Sequence, residues 1–83
     1  MSNEVMDRVI QIIKPFAKNQ EALAKAGLET RILEDLKVNS ARLVDIVLEL
    51  ENAFGIELGD DDADKVRTVG DAVRVITSKT SGT

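Results

Sequence analysis

Between Ser40 and Phe54 the apolar residues Leu43, Ile46, Val47, Leu50 and Phe54 recur at helical spacing. At about 100° per residue they share one arc, so a helix here carries an apolar stripe that must be buried against other elements. Val5, Val9, Ile12, Ile13 and Phe16 form a second stripe, and Val69, Ala72, Val73 and Ile76 a third. No stretch alternates with period two for long enough to make a strand. With 83 residues there is room for one domain, residues 1–83, and for a thin core. The fold class is all-α: a four-helix bundle with a short third helix and a long loop between the first two main helices.

Local signals set the boundaries. The first helix runs from about Asn3, its N-cap, to about Phe16, and Pro15 removes a backbone donor so that its end kinks or frays. A turn of helix follows around Glu21–Ala26, closed by Gly27 in a left-handed conformation. Ile32, Leu33 and Leu36 anchor the remaining loop across the core. The second main helix, Ser40–Phe54, ends at Gly55, and a short third helix covers Asp61 to Val66. Thr68 caps the last helix with Asp71 three residues on, close to a capping box. The ordered part is expected over about 3–77, with the small and polar residues 78–83 fraying.

The inventory of side chains excludes most chemistry. There is no Cys and no His, hence no thiol nucleophile, no imidazole base, no Cys/His zinc site and no disulfide framework. Acids are plentiful but absent from the apolar stripes, and an exposed carboxylate is not tuned for acid–base catalysis near neutral pH. The chain is therefore not an enzyme. Asp60, Asp62 and Asp64 occupy the first, third and fifth positions of a calcium loop, but Lys65 stands at the obligatory glycine and Asp71 at the final glutamate. No metal site is expected. The net charge of -4 disfavours nucleic acid. No apolar run approaches the ~20 residues of a membrane span, and the N-terminus lacks a signal-peptide pattern, so a cytoplasmic location without membrane insertion is expected.

Two features point outward. Residues 45–64 hold eight acids and no base, which makes one face strongly negative. Leu48 projects roughly 140° away from the buried arc, a candidate docking spot among acidic and small residues. Ser40 begins the second main helix directly after Asn39. If Asn39 performs the capping, the Ser40 hydroxyl is left at the first helical position, exposed and placed to accept a phosphoryl-linked group.

The segments Leu36-Lys37-Val38-Asn39-Ser40-Ala41 and Glu49-Leu50-Glu51-Asn52-Ala53-Phe54-Gly55-Ile56-Glu57-Leu58 resemble the acyl carrier protein family. Its pattern is roughly Leu-Gly-x-Asp-Ser-Leu, then an amphipathic helix ending Glu-x-x-Phe-Gly-Ile-x-Ile. Asp61–Val66 and Thr68–Val73 match the family's third helix and the start of its last, so the similarity spans Asn3 to Ile76. The resemblance implies a 4′-phosphopantetheine arm on Ser40, flanked by Asn39 and transferred from coenzyme A by a holo-synthase (a phosphopantetheinyl transferase) that supplies Mg²⁺. It further implies acyl or aminoacyl cargo held as thioesters for enzymes of fatty-acid, lipid or secondary-metabolite synthesis. Partners with basic patches would read Ala41, Arg42, Asp45, Leu48 and Glu51, and Ile46, Val47, Ile56 and Leu58 would line the acyl chain. The carrier is expected to act as a monomer.

Several positions depart from the pattern. Asn39 replaces the usual Asp, Ala41 the usual Leu and Lys37 the common Gly, and Arg42 stands where an acid is common. These departures imply a specialised carrier with its own partners. The alternative is an unmodified carrier-like module that uses its acidic helix only for docking.

Overall fold

The computed structural model describes residues 2–81, with side-chain environments for 4–80. Its helices are α1 (Ser2–Ile13), α2 (Gln20–Ala24), α3 (Ser40–Phe54), α4 (Asp60–Lys65) and α5 (Val69–Ser81), with a 3₁₀ turn at Lys14–Phe16. α1 packs mainly against α5 and also against α3, and α4 packs against α5. The three stripes meet in one core: Val9 and Ile13 from α1, Ile46 and Leu50 from α3, and Val69, Ala72 and Ile76 from α5 are all essentially inaccessible. No helix among the described residues is long and apolar enough to cross a membrane.

The helix ends follow side-chain chemistry. Pro15 falls in the 3₁₀ turn, where the α-helix tightens because the proline nitrogen has no proton to donate. Gly55 closes α3 at φ 63°, a left-handed conformation that a Cβ would disfavour. Thr68 and Asp71 form the expected reciprocal cap: Asp71 N–H donates to Thr68 Oγ1 at 3.0 Å, and Thr68 N–H donates to Asp71 Oδ2 at 3.2 Å. At α4, Asp62 accepts from Gly59 N–H and from Lys79 Nζ, 3.1 Å away on α5. The Lys79 hydrogen bond and then the Gly59 N–H hold the Asp62 carboxyl below its ordinary range. Its stabilising contribution is therefore present above the unfolded carboxylate pKa and is lost as pH falls through the lowered folded value.

Three expectations are corrected. Gly27 is not left-handed. α2 stops at Ala24, and Gly27 instead enters a turn in which its N–H donates to Thr30 Oγ1 at 2.8 Å. Leu33 is not a core anchor: it stays about one-third exposed, while Ile32 and Leu36 on either side are sealed. Helix α1 begins at Ser2, so the backbone of Asn3 lies inside the helix and cannot be its cap. Helix α5 runs to Ser81, and the Thr80 hydroxyl donates to the Ile76 and Thr77 carbonyls within its last turns. Residues 82 and 83 lie outside the described residues.

The long loop is ordered by hydrogen bonds from its own backbone. Ile32 N–H donates to Arg67 O and Val69 N–H to Thr30 O, each at 2.9 Å, which stitches the loop to the α4–α5 joint. Asn19 N–H donates to Leu36 O at 3.1 Å and Lys18 N–H to Lys37 O at 3.4 Å, fixing the approach to Ser40. Within this segment Lys37 adopts φ 57°, the one non-glycine residue with positive φ among those described. A Cβ in that region is strained, so Lys37→Gly is expected to stabilise the fold by about 0.5–1 kcal/mol. Urea unfolding checks this: the midpoint should rise with an unchanged slope.

Candidate functional site

Ser40 is the first residue of α3. Its predecessor Asn39 is the N-cap, extended at φ -64° and ψ 133°, and Asn39 Oδ1 accepts from Ala41 N–H at 2.9 Å. Arg42 N–H closes the first turn by donating to Asn39 O at 2.8 Å. The cap is therefore complete without the serine. Ser40 is exposed, and its hydroxyl makes no hydrogen bond among the described residues. Ala41 beside it is small and exposed, leaving the approach open. A phosphodiester on Ser40 would sit at the positive end of the α3 dipole in contact with water, so the residues present fit such a group.

Along α3 the outer face alternates apolar and acidic side chains. Leu48 is 51% exposed, as its angular position requires. Val44, one turn earlier and 62% exposed, joins it. Reading the helix for isolated misfits passed over Val44, although its i,i+4 relation to Leu48 was available. Asp45 is half-buried and pairs with Arg42, with Nη1 3.1 Å from Oδ2. Glu51 has a structural commitment: its Oε2 accepts from Leu58 N–H at 2.7 Å and ties the turn after Gly55 back onto α3. Glu51→Ala should cost about 1–2 kcal/mol by leaving that partly buried N–H unpaired, whereas Glu51→Gln keeps an acceptor and most of the stability. Comparing the two in denaturant separates Glu51 as a brace from Glu51 as a surface charge.

The four residues expected to line cargo sit in or against the core: Ile46 and Val47 are buried, and Ile56 and Leu58 are half-buried. None of them borders the open cavity of about 460 Å³ found between the loop, α3 and α4. That cavity is walled by Leu33, Leu43, Ala63 and Val66, with Arg31, Glu34, Asp64 and Arg67 at its rim. The sequence signal for it was Leu33, an apolar residue in a loop that turned out not to be an anchor. At the far end of α3, Arg8 donates to Ala53 O at 2.9 Å and stacks 4.5 Å above the Phe54 ring, which fastens α1 to the α3 C-terminus.

Comparison with known proteins agrees with this geometry. The family described as "Phosphopantetheine attachment site" matches residues 7–76. Among solved structures, an acyl carrier protein from Enterococcus faecalis, studied for its high thermal stability, is 35% identical. The match covers 95% of this chain and 98% of that one, with a TM-score of 0.77. The chain belongs to the acyl carrier protein family, and is a carrier rather than a catalyst, working through a covalently attached 4′-phosphopantetheine.

Proposed function

We propose that Ser40 is the attachment residue, that Asn39 positions it, and that the loaded chain acts as a cytoplasmic monomer. One observation carries this: Asn39 caps α3 alone, which leaves an exposed and unbonded Ser40 hydroxyl at the first helical position. Loading forms a bond between Ser40 Oγ and the β-phosphorus of coenzyme A and releases adenosine 3′,5′-bisphosphate. Base and Mg²⁺ are supplied by the transferase. When attached, the arm supplies the thiol that the chain lacks and on which acyl or aminoacyl groups are held as thioesters.

The chain's own residues then present the group. Val44 and Leu48 offer an apolar contact, with Ala41, Arg42, Asp45 and Glu49 around it, to enzymes of fatty-acid, lipid or secondary-metabolite synthesis. Because Glu51 braces the turn at Leu58, Asp45 and Glu49 are the acids with which basic partners are better tested. Cargo is accommodated through the cavity beside Leu43, Ala63 and Val66, with the buried or half-buried Ile46, Val47, Ile56 and Leu58 as the apolar side chains a longer acyl chain would reach.

Incubation of the full chain with coenzyme A, Mg²⁺ and a broad-specificity phosphopantetheinyl transferase tests the assignment by intact mass. The expected result is a gain of one phosphopantetheine, mapped by peptide fragmentation to Ser40. Failure of the mass to rise under prolonged incubation would favour the unmodified docking module.

A further inference from the structure

The sign of the surface changes at Ser40. Two sequence stretches meet there, residues 14–20 and 36–44, joined through Lys18 N–H to Lys37 O and Asn19 N–H to Leu36 O. Between them they carry Lys14, Lys18, Lys37 and Arg42; Lys37 shares a separate hollow with Glu34 and Asp35, whereas residues 45–64 carry eight acids and no base. Lys18 and Arg42 border a single hollow of about 520 Å³ with Asn39, Pro15, Phe16 and Ala17, and no acidic side chain lines it. The Asp45 bond to Arg42 does not neutralise this region, because the guanidinium side chain is 63% exposed and retains further donors.

A partner with a uniformly basic face would meet repulsion at the point where it must come closest to Ser40. We propose that this chain's transferase is bipolar: a carboxylate-bearing active-site lip seats over the Lys18–Arg42 hollow, and a basic patch lies along Asp45, Leu48 and Glu49. The proposal rests on Ser40 being the attachment residue. Complementary charge across such an interface raises the association rate and suppresses wrong partners, so Arg42 acts as a specificity-determining residue. Phe16 and Pro15, half-buried and exposed respectively, give the lip an apolar floor.

A charge-swap experiment tests this. The probe is a broad-specificity phosphopantetheinyl transferase with a basic acceptor-binding lip, used in its parent form and with one lip arginine replaced by glutamate. Each is measured against the wild-type chain, Arg42→Asp and Lys18→Glu, by kcat/KM for loading and by the Kd of the unloaded chain, which does not depend on turnover. Arg42→Asp should load about tenfold better than wild type on the parent enzyme at low salt, through KM, and bind the glutamate form correspondingly worse. Lys18→Glu should move the same way by a smaller factor, and high salt should erase both differences. Equal responses of the two enzyme forms to Arg42→Asp, in both Kd and kcat/KM, would overturn the bipolar lip. No loading of any variant by either form would instead overturn Ser40 as the attachment residue.

Discussion

Ser40→Ala should abolish the mass gain entirely while leaving the fold as stable as before. The separation of these two effects is what the geometry of α3 predicts. A serine that caps a helix stabilises it by about 1 kcal/mol, so its replacement would lower stability as well as remove the nucleophile. Here Asn39 Oδ1 holds the Ala41 N–H and Ser40 Oγ holds nothing among the described residues, so alanine at the first helical position should change stability by less than about 0.5 kcal/mol. Asn39→Ala is the complementary variant. It should cost about 1 kcal/mol through the lost cap, keep the nucleophile, and load more slowly because the start of α3 frays. Intact mass and urea unfolding on the two variants therefore give opposite patterns. A phosphopantetheine gain in Ser40→Ala would place the attachment on another hydroxyl, and an unfolded Ser40→Ala would mean that the serine is a cap after all.

How much of this was legible in the sequence differed with the range of the interaction. Most features encoded within four residues were read correctly: the inward arc of α3, the Thr68–Asp71 cap, the stop at Gly55, the break at Pro15 and the capping of α3 by Asn39. Each depends on side chains reaching their own backbone or on helical periodicity, both of which spacing reveals. Apart from Gly27, whose partner Thr30 lies only three residues on, the misses involve partners far along the chain. Gly27 looked like a left-handed cap, but the loop satisfies its N–H with Thr30 and has no need of positive φ. Lys37 takes the left-handed position instead, held by the Lys18 N–H bond to its carbonyl and by the packing of Leu36 and Val38 on either side. Leu33 was grouped with Ile32 and Leu36 by hydrophobicity, yet a chain laid flat on a core buries only some of its residues, and Leu33 faces the cavity next to α4. The brace from Glu51 to Leu58 N–H was hidden because nothing local shows that an N–H seven residues on needs an acceptor.

The largest loss of stability from a single added carbon is expected at Gly70. Its conformation is ordinary helix, so the demand for glycine arises from close approach. A Cβ at Gly70 would lie 2.7 Å from Leu28 O and 3.1 Å from Leu28 Cβ. The obstructing atom is backbone, and it also accepts the Gly70 N–H at 2.9 Å, so it cannot swing away like the end of a side chain. Relief requires α5 to retreat from the loop. That movement strains three bonds together, Gly70 N–H to Leu28 O, Val69 N–H to Thr30 O and Ile32 N–H to Arg67 O, and pulls the sealed side chains of Ile32 and Val69 apart. Alanine gains up to about 1 kcal/mol over glycine from helix propensity. Overpacking against fixed atoms costs about 1–3 kcal/mol, and weakening hydrogen bonds at a buried joint adds about 1 kcal/mol for each. Gly70→Ala should therefore be destabilising by about 2–3 kcal/mol net, a large share of what holds a domain of this size together. Gly27 and Gly59 serve as controls, since a Cβ at either meets nothing within 4 Å and neither has positive φ. Alanine there should be neutral or slightly stabilising through a less flexible unfolded chain. If urea unfolding ranks Gly70→Ala with these two controls, the α5–loop joint is softer than its three bonds imply.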